Sequence, residues 1–138
     1  MEKRLLGIDL GSKKVGLAMS DPLNIIASTF DTIDWKGKKA FVNDVTQLIN
    51  DYDIGTLVFG VPVTLSGNES KKTKEINTLI EFFKTAFPED IIIETEDEAM
   101  TSEEAKHILR QMGKDPKKHR RKVDQIAAQR ILASYMNI

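Results

Sequence analysis

The stretch that most constrains this chain is its first apolar run, Arg4-Leu5-Leu6-Gly7-Ile8-Asp9-Leu10-Gly11-Ser12. Side chains alternate along a strand, so Leu6, Ile8 and Leu10 share one face while Leu5, Gly7 and Asp9 share the other. Both faces are mainly apolar, the pattern of a strand covered on both sides, and a fold built round it needs helices on each side of a sheet. Asp9 stands where such a strand wants a hydrophobe. An ionised carboxylate buried there costs several kcal/mol unless a cation or hydrogen-bond donors offset it. Two readings follow: Asp-Leu-Gly-Ser opens a turn, or Asp9 belongs to a site.

The rest of the chain supplies the cover. Val15 to Ser20 reads as a second strand joined by the tight Gly11-Ser12-Lys13-Lys14 connection, and Ile25 to Ile33 as a third, antiparallel one. The period then changes: Phe41, Val45, Leu48 and Ile49 predict a helix from about 37 to 52. Thr56 to Gly60 is a short apolar strand of the buried parallel type, followed by the glycine-bracketed loop Gly60 to Gly67. A second helix buries Ile76, Leu79, Ile80, Phe83 and Phe87 and stops at Pro88. Ile91-Ile92-Ile93 is a fifth strand running into Glu94 to Glu98. Thr101 with Glu104 forms a capping box for a third helix that buries Ala105, Ile108, Leu109 and Met112 and ends at Gly113 and Pro116. The basic run Lys114 to Lys122 reads as an exposed, mobile connector to a last helix over 122–136. The expected architecture is α/β: a mixed five-stranded sheet, three antiparallel strands then two parallel ones, with helices on both faces.

Gross properties narrow the function. The 138 residues suit one domain, 1–138, and 41% apolar with 30% charged residues describes an ordinary globular protein. No run is long enough to span a membrane and no signal-peptide pattern opens the chain, so a cytoplasmic location is expected. The absence of cysteine excludes disulfides and thiol nucleophiles, and the two histidines, His107 and His119, are too scattered for a transition-metal cluster. A metal here would be a hard, oxygen-bound one. The net charge of −1 means that a phosphate-rich partner must be met by a local patch.

A second acid lies on the last helix. From Asp124, positions Ala127, Ala128, Ile131, Leu132 and Tyr135 fall on one helix face, so Asp124 points at the core. A third acid comes from the Glu94 to Glu98 run at the carboxyl end of the fifth strand, where α/β folds place functional groups. Three carboxylates brought together repel one another unless divalent cations sit among them. Mg²⁺ suits such a cage, and two ions about 3.5–4 Å apart serve phosphodiester hydrolysis.

Four motifs in this order resemble the YqgF/RuvX family: Leu6 to Gly16, the Gly60-Val61-Pro62 to Gly67 loop, Asp97-Glu98 before Thr101-Ser102, and Lys122-Val123-Asp124 before Ala127-Ala128. These are bacterial ribonuclease-H-like proteins described as pre-16S ribosomal RNA nucleases or Holliday junction resolvases. The resemblance implies a ribonuclease-H-like fold and a nuclease dependent on Mg²⁺ or Mn²⁺, with Asp9, Glu98 and Asp124 as catalytic, metal-holding carboxylates. The family usually shows Asp-Glu-Arg; here Ala99 replaces the arginine, which loosens the assignment of Glu98 and leaves Asp97 as the reserve. The implied task is 5′-end maturation of pre-16S rRNA, with junction resolution or non-catalytic nucleic-acid binding as alternatives. The chain would act as a monomer or weak homodimer, away from membranes, on precursor rRNA or, alternatively, branched DNA.

Basic residues flank these acids. Lys118, Arg120, Arg121 and Lys122 precede the Asp124 helix, and Lys13 and Lys14 follow Asp9, so both sets are expected to meet phosphates. Lys71, Lys72 and Lys74 open the second helix on different faces, so one or two extend that surface; Lys71 is the one assigned. Trp35 and Tyr52 read as packing residues. The Asp-x-Gly opening also occurs in actin-like ATPases and sugar kinases, but those need two domains and would leave Asp124 without a role.

Overall fold

The computed structural model describes residues 3–62, 70–98 and 102–138, and the side chains of all of these except residues 102 and 103. Its order is β1 (Arg4–Leu10), β2 (Lys14–Ser20), β3 (Ala27–Asp34), α1 (Lys38–Tyr52), β4 (Ile54–Pro62), α2 (Lys71–Ala86), β5 (Ile92–Glu98), α3 (Ser102–Gln111) and α4 (Arg120–Met136). The five strands lie in the order β3-β2-β1-β4-β5, with β1 at the centre, as its two apolar faces require. β1–β2 and β2–β3 pair antiparallel; β1–β4 and β4–β5 pair parallel, as the helical crossovers dictate.

Alternation divides the core in two. Leu6, Ile8, Val15, Leu17, Leu57 and Phe59 face α1 and α2, meeting Phe41, Val45, Ile80 and Phe83. There the Phe59 and Phe83 rings stack with centroids 5.4 Å apart, and Phe41 lies 4.9 Å from Phe83. Ala18, Ala27 and Val58 face α4, meeting Ala128, Ile131 and Leu132. This second face is made of small residues, so α4 lies close to the sheet: a Cβ on Gly7 would stand 2.8 Å from Leu132 Cβ and 2.9 Å from the Ala128 carbonyl oxygen. Helix α3 packs on α4 through Ala105, Leu109, Val123 and Ile126.

Several expectations need correction. Ile25 and Ile26 are not in β3: the Asp21 carboxylate accepts from both their amides, at 2.6 and 2.7 Å, holding them in an exposed turn. β5 does not stop at the apolar triplet but continues through the acidic run to Glu98. Met112 is 55% exposed rather than buried, because α3 ends at Gln111 and the chain turns at Gly113 with φ 77°. Helix α4 starts at Arg120, so the basic run is a connector only up to His119. Thr101 of the capping box, Ala99 and most of the Gly60 to Gly67 loop lie outside the described residues.

Candidate active site

Asp9 sits on the α4 side of β1, opposite Gly16 of β2. A Cβ on Gly16 would overlap the carbonyl of Asp124 and stand 3.0 Å from Asp124 Cβ. The bare backbone of β2 is therefore what α4 rests on at the level of Asp9, and it sets the Asp124 carboxylate beside the Asp9 carboxylate. Because α4 begins at Arg120, Asp124 lies beyond the first turn, where the helix dipole gives a carboxylate little help.

Alternation in β5 sorts its acids by face. Glu94, Glu96 and Glu98 pair with Val58, Gly60 and Pro62, and Glu96 accepts a 3.1 Å hydrogen bond from Ser134 of α4, so this set of glutamates faces α4. Asp97 alternates with this set along the strand and lines a separate cleft with Arg130 and Ser134 of α4. β4 carries Gly60, paired with Glu96 of β5, and the Ile131 side chain of α4 packs over it. Glu98 lies close enough to Asp9 to act on its carboxyl.

The electrostatics follow from this crowding. Burial, then the charge of Glu98 and the hydrogen bond to it, push the Asp9 carboxyl up to about 7, with Lys72 pulling weakly the other way. Burial and the charge of Asp9 raise Asp124 as well, against Lys14 and Arg121. Asp9 thus lies within electrostatic reach of both Glu98 and Asp124, acids from β1, β5 and α4, with Lys72, Lys14 and Arg121 offsetting the crowding only in part. Among the described residues no three acidic or histidine side chains form a ready-made metal cage. The donor set is nonetheless all oxygen and under-neutralised, which fits a hard divalent cation such as Mg²⁺ or Mn²⁺.

The basic residues divide into two groups. Lys14 pairs with Asp34; Arg121 donates to the Thr32 carbonyl and lies 3.8 Å from Asp34; Lys122 donates to Thr29 Oγ1 at 2.6 Å. Since the Thr32 hydroxyl also donates to the Arg121 carbonyl, Arg121 and Lys122 pin the start of α4 to β3 instead of hanging in a mobile connector. Arg120, by contrast, lines a cleft of about 690 Å³ together with Asp124, Lys106, Arg110 and Lys117. Lys106 and Arg110 were not expected, although their i, i+4 spacing puts them on one face of α3. Lys13 and Lys118 are exposed, and Lys71 lines a separate cleft beside β1 together with Lys72, the lysine whose charge reaches Asp9.

With the geometry in view, the comparisons with known proteins are decisive. The family model described as "RuvX: Holliday junction resolvase" matches residues 3–138. The chain belongs to the RuvX family. Curated relatives agree: a candidate pre-16S rRNA nuclease of Dictyoglomus turgidum is 39% identical over 136 residues, covering 97% of this chain and 94% of that one. A protein with the same name from Sulfurihydrogenibium sp. is 36% identical over 134 residues, covering 97% and 90%. Among solved structures, Thermus thermophilus RuvC in complex with a Holliday junction aligns with TM-score 0.60 at 12% identity over 98% of this chain and 94% of that chain. The fowlpox virus resolvase with its junction DNA gives TM-score 0.59 at 12% identity over 97% of each chain. At such identities these likenesses establish the fold alone: this RuvX-family chain has the ribonuclease-H-like sheet of the resolvases.

Proposed function

We propose that the chain is a divalent-metal-dependent nuclease that hydrolyses phosphodiester bonds, acting in 5′-end maturation of the 16S ribosomal RNA precursor. The observation that carries the reading is the convergence of Asp9, Glu98 and Asp124 on one side of the sheet, where burial and mutual repulsion raise Asp9 and Asp124 and Lys72, Lys14 and Arg121 offset this only in part. A bound Mg²⁺ or Mn²⁺ would supply Lewis acidity to the scissile phosphate and ease deprotonation of the attacking water. Asp9, Glu98 and Asp124 would hold that ion. Arg120, with Lys106, Arg110 and Lys117 in the cleft that contains Asp124, would lay the phosphate backbone along the site, and Lys13 and Lys118 would add exposed charge at its margins. The names borne by the relatives favour precursor rRNA, and the proposed setting is the cytoplasm; no helix among the described residues is long and apolar enough to cross a membrane.

A second reading, resolution of Holliday junctions, is favoured by the description of the matching family. A resolvase cuts two strands symmetrically and calls for a two-fold dimer, whereas the chain is proposed to work as a monomer or weak homodimer. The test is cleavage of 5′-extended pre-16S RNA and of four-way DNA junctions by the purified protein with Mg²⁺ or Mn²⁺, beside its mass in solution. Asp9→Asn and Asp124→Asn should each lower cleavage by about a thousandfold or more, several kcal/mol of transition-state stabilisation, while binding persists. Full activity in both variants would remove the carboxylates from the chemistry, and junction cutting by a dimer inert on the RNA would establish the second reading.

A further inference from the structure

Where β1 ends, on the side of the sheet covered by α1 and α2, a cleft of about 710 Å³ opens. Trp35, Leu10, Ile76 and Leu79 give it apolar surface, and Lys71 and Lys72 of the first turn of α2 line it together with Glu75. Trp35 is fixed from behind. Its backbone N–H donates to the Lys13 carbonyl at 2.9 Å, and its ring leans on Phe41 with centroids 5.7 Å apart. The residue packs against the core yet is only half-buried, and it also lines the cleft. Leu10 directly follows Asp9, and Lys72 lies within electrostatic reach of Asp9, so the cleft and the carboxylate site share one strand end.

An apolar wall with one rigid aromatic and two ammonium groups at its mouth matches a nucleotide: a flat base at one end and an anionic phosphate at the other. The volume falls in the range of small-ligand clefts, roughly 300–1,000 Å³. We propose that this cleft receives one unpaired, unstacked nucleotide of the substrate strand, its base lying on Trp35 and its phosphate held by Lys71 and Lys72, next to the bond cut at Asp9. This rests on the nuclease reading. A base locked in a duplex cannot enter, so the cleft directs the carboxylates to single-stranded extensions and branch points. Stacking on an aromatic tolerates any base, and Glu75, in the same wall, can accept from the amino group of adenine, guanine or cytosine.

Trp35 is the chain's one tryptophan, so its emission reports on the cleft directly. In EDTA, which withholds cleavage, the full chain is titrated with end-labelled single-stranded RNA and with a blunt duplex of the same sequence. Anisotropy scores binding independently of emission. The single strand should quench Trp35 in step with binding, while the duplex binds without changing emission. Trp35→Leu, which keeps apolar bulk against Phe41, should weaken single-strand binding about tenfold more than duplex binding, within the range of one lost base stack. Lys71→Glu, at an exposed site, should shift the quenching curve to higher RNA concentration with its amplitude kept. Unchanged emission at saturating single strand would overturn the proposal, as would AMP quenching as tightly as RNA, which would make the cleft a free-nucleotide site. Adding Mg²⁺ separates the two readings: quenching without cleavage sinks the nuclease and leaves a nucleotide-binding cleft, whereas cleavage of the single strand without quenching sinks the cleft alone.

Discussion

Asp9 is buried beside another acid, and Lys72 offsets that charge only in part, so in metal-free protein its proton supports the fold. Its carboxyl titrates near 7 in the folded state against an ordinary value of 3.8. The folded value is the higher one, so the stabilising contribution is full below the unfolded value and is lost as pH rises through about 4 to about 7. In EDTA the protein should therefore melt at a lower temperature at pH 8 than at pH 5, by about 1–3 kcal/mol of stability once water at this partly exposed site is allowed for. Asp9→Asn should flatten the profile and raise the pH 8 melting temperature; Mg²⁺ should do so in wild type. Gly16 is equally exacting. Gly16→Ala would push a methyl into the Asp124 carbonyl, costing about 1–3 kcal/mol in urea titrations and more in cleavage than in stability, because α4 must lift at the point where the acids meet. At this scale Asp9 and Asp124 were legible in sequence, since each is an acid on an apolar stripe. Glu98 was not separable from Asp97, because that choice depends on β5 continuing five residues past its last isoleucine.

Among the elements, α4 carries the most. It covers the glycine and alanine face of the sheet, brings Asp124 to Asp9, and is pinned at its start by the reciprocal bonds between Thr32 and Arg121. Thr32 is fully buried, so Thr32→Val removes the hydroxyl bond to the Arg121 carbonyl while the guanidinium bond to the Thr32 backbone carbonyl stays. Denaturant titration should show a loss of about 1–3 kcal/mol, with the salt dependence of RNA binding unchanged. Arg120→Ala and Lys117→Ala should do the reverse: stability within about 0.5 kcal/mol of wild type, weaker binding on every sequence, and a salt slope smaller by about 1 for each phosphate left unneutralised. The helix itself was readable from its apolar period. Its pins were not, because they join residues 89 apart in the chain, and a basic run looks the same whether it is solvated or fastened to a strand. The α3 cations were overlooked for a related reason: they come together with Asp124 in one cleft only when α3 lies on α4.

On the scale of the whole molecule, the mixed sheet could be read from the chain because strand and helix periods alternate cleanly and β1 is apolar on both faces. The clefts at its end could not, since each is assembled from elements far apart in sequence. A molecule with net charge −1 must attract an anionic polymer locally, so binding should weaken steeply with salt even though the protein as a whole is slightly acidic. A fragment ending at residue 118 would keep every strand but expose the Gly7 and Gly16 backbone, and it should aggregate and show no cleavage. Adding the segment 119–138 as a separate peptide should restore solubility and some activity if the sheet survives. The chain order gives this arrangement a temporal meaning. The carboxylate on β1 emerges from the ribosome early and its partner on α4 only after every strand of the sheet, so a nascent chain paused short of that helix lacks one of the acids that the proposed chemistry requires.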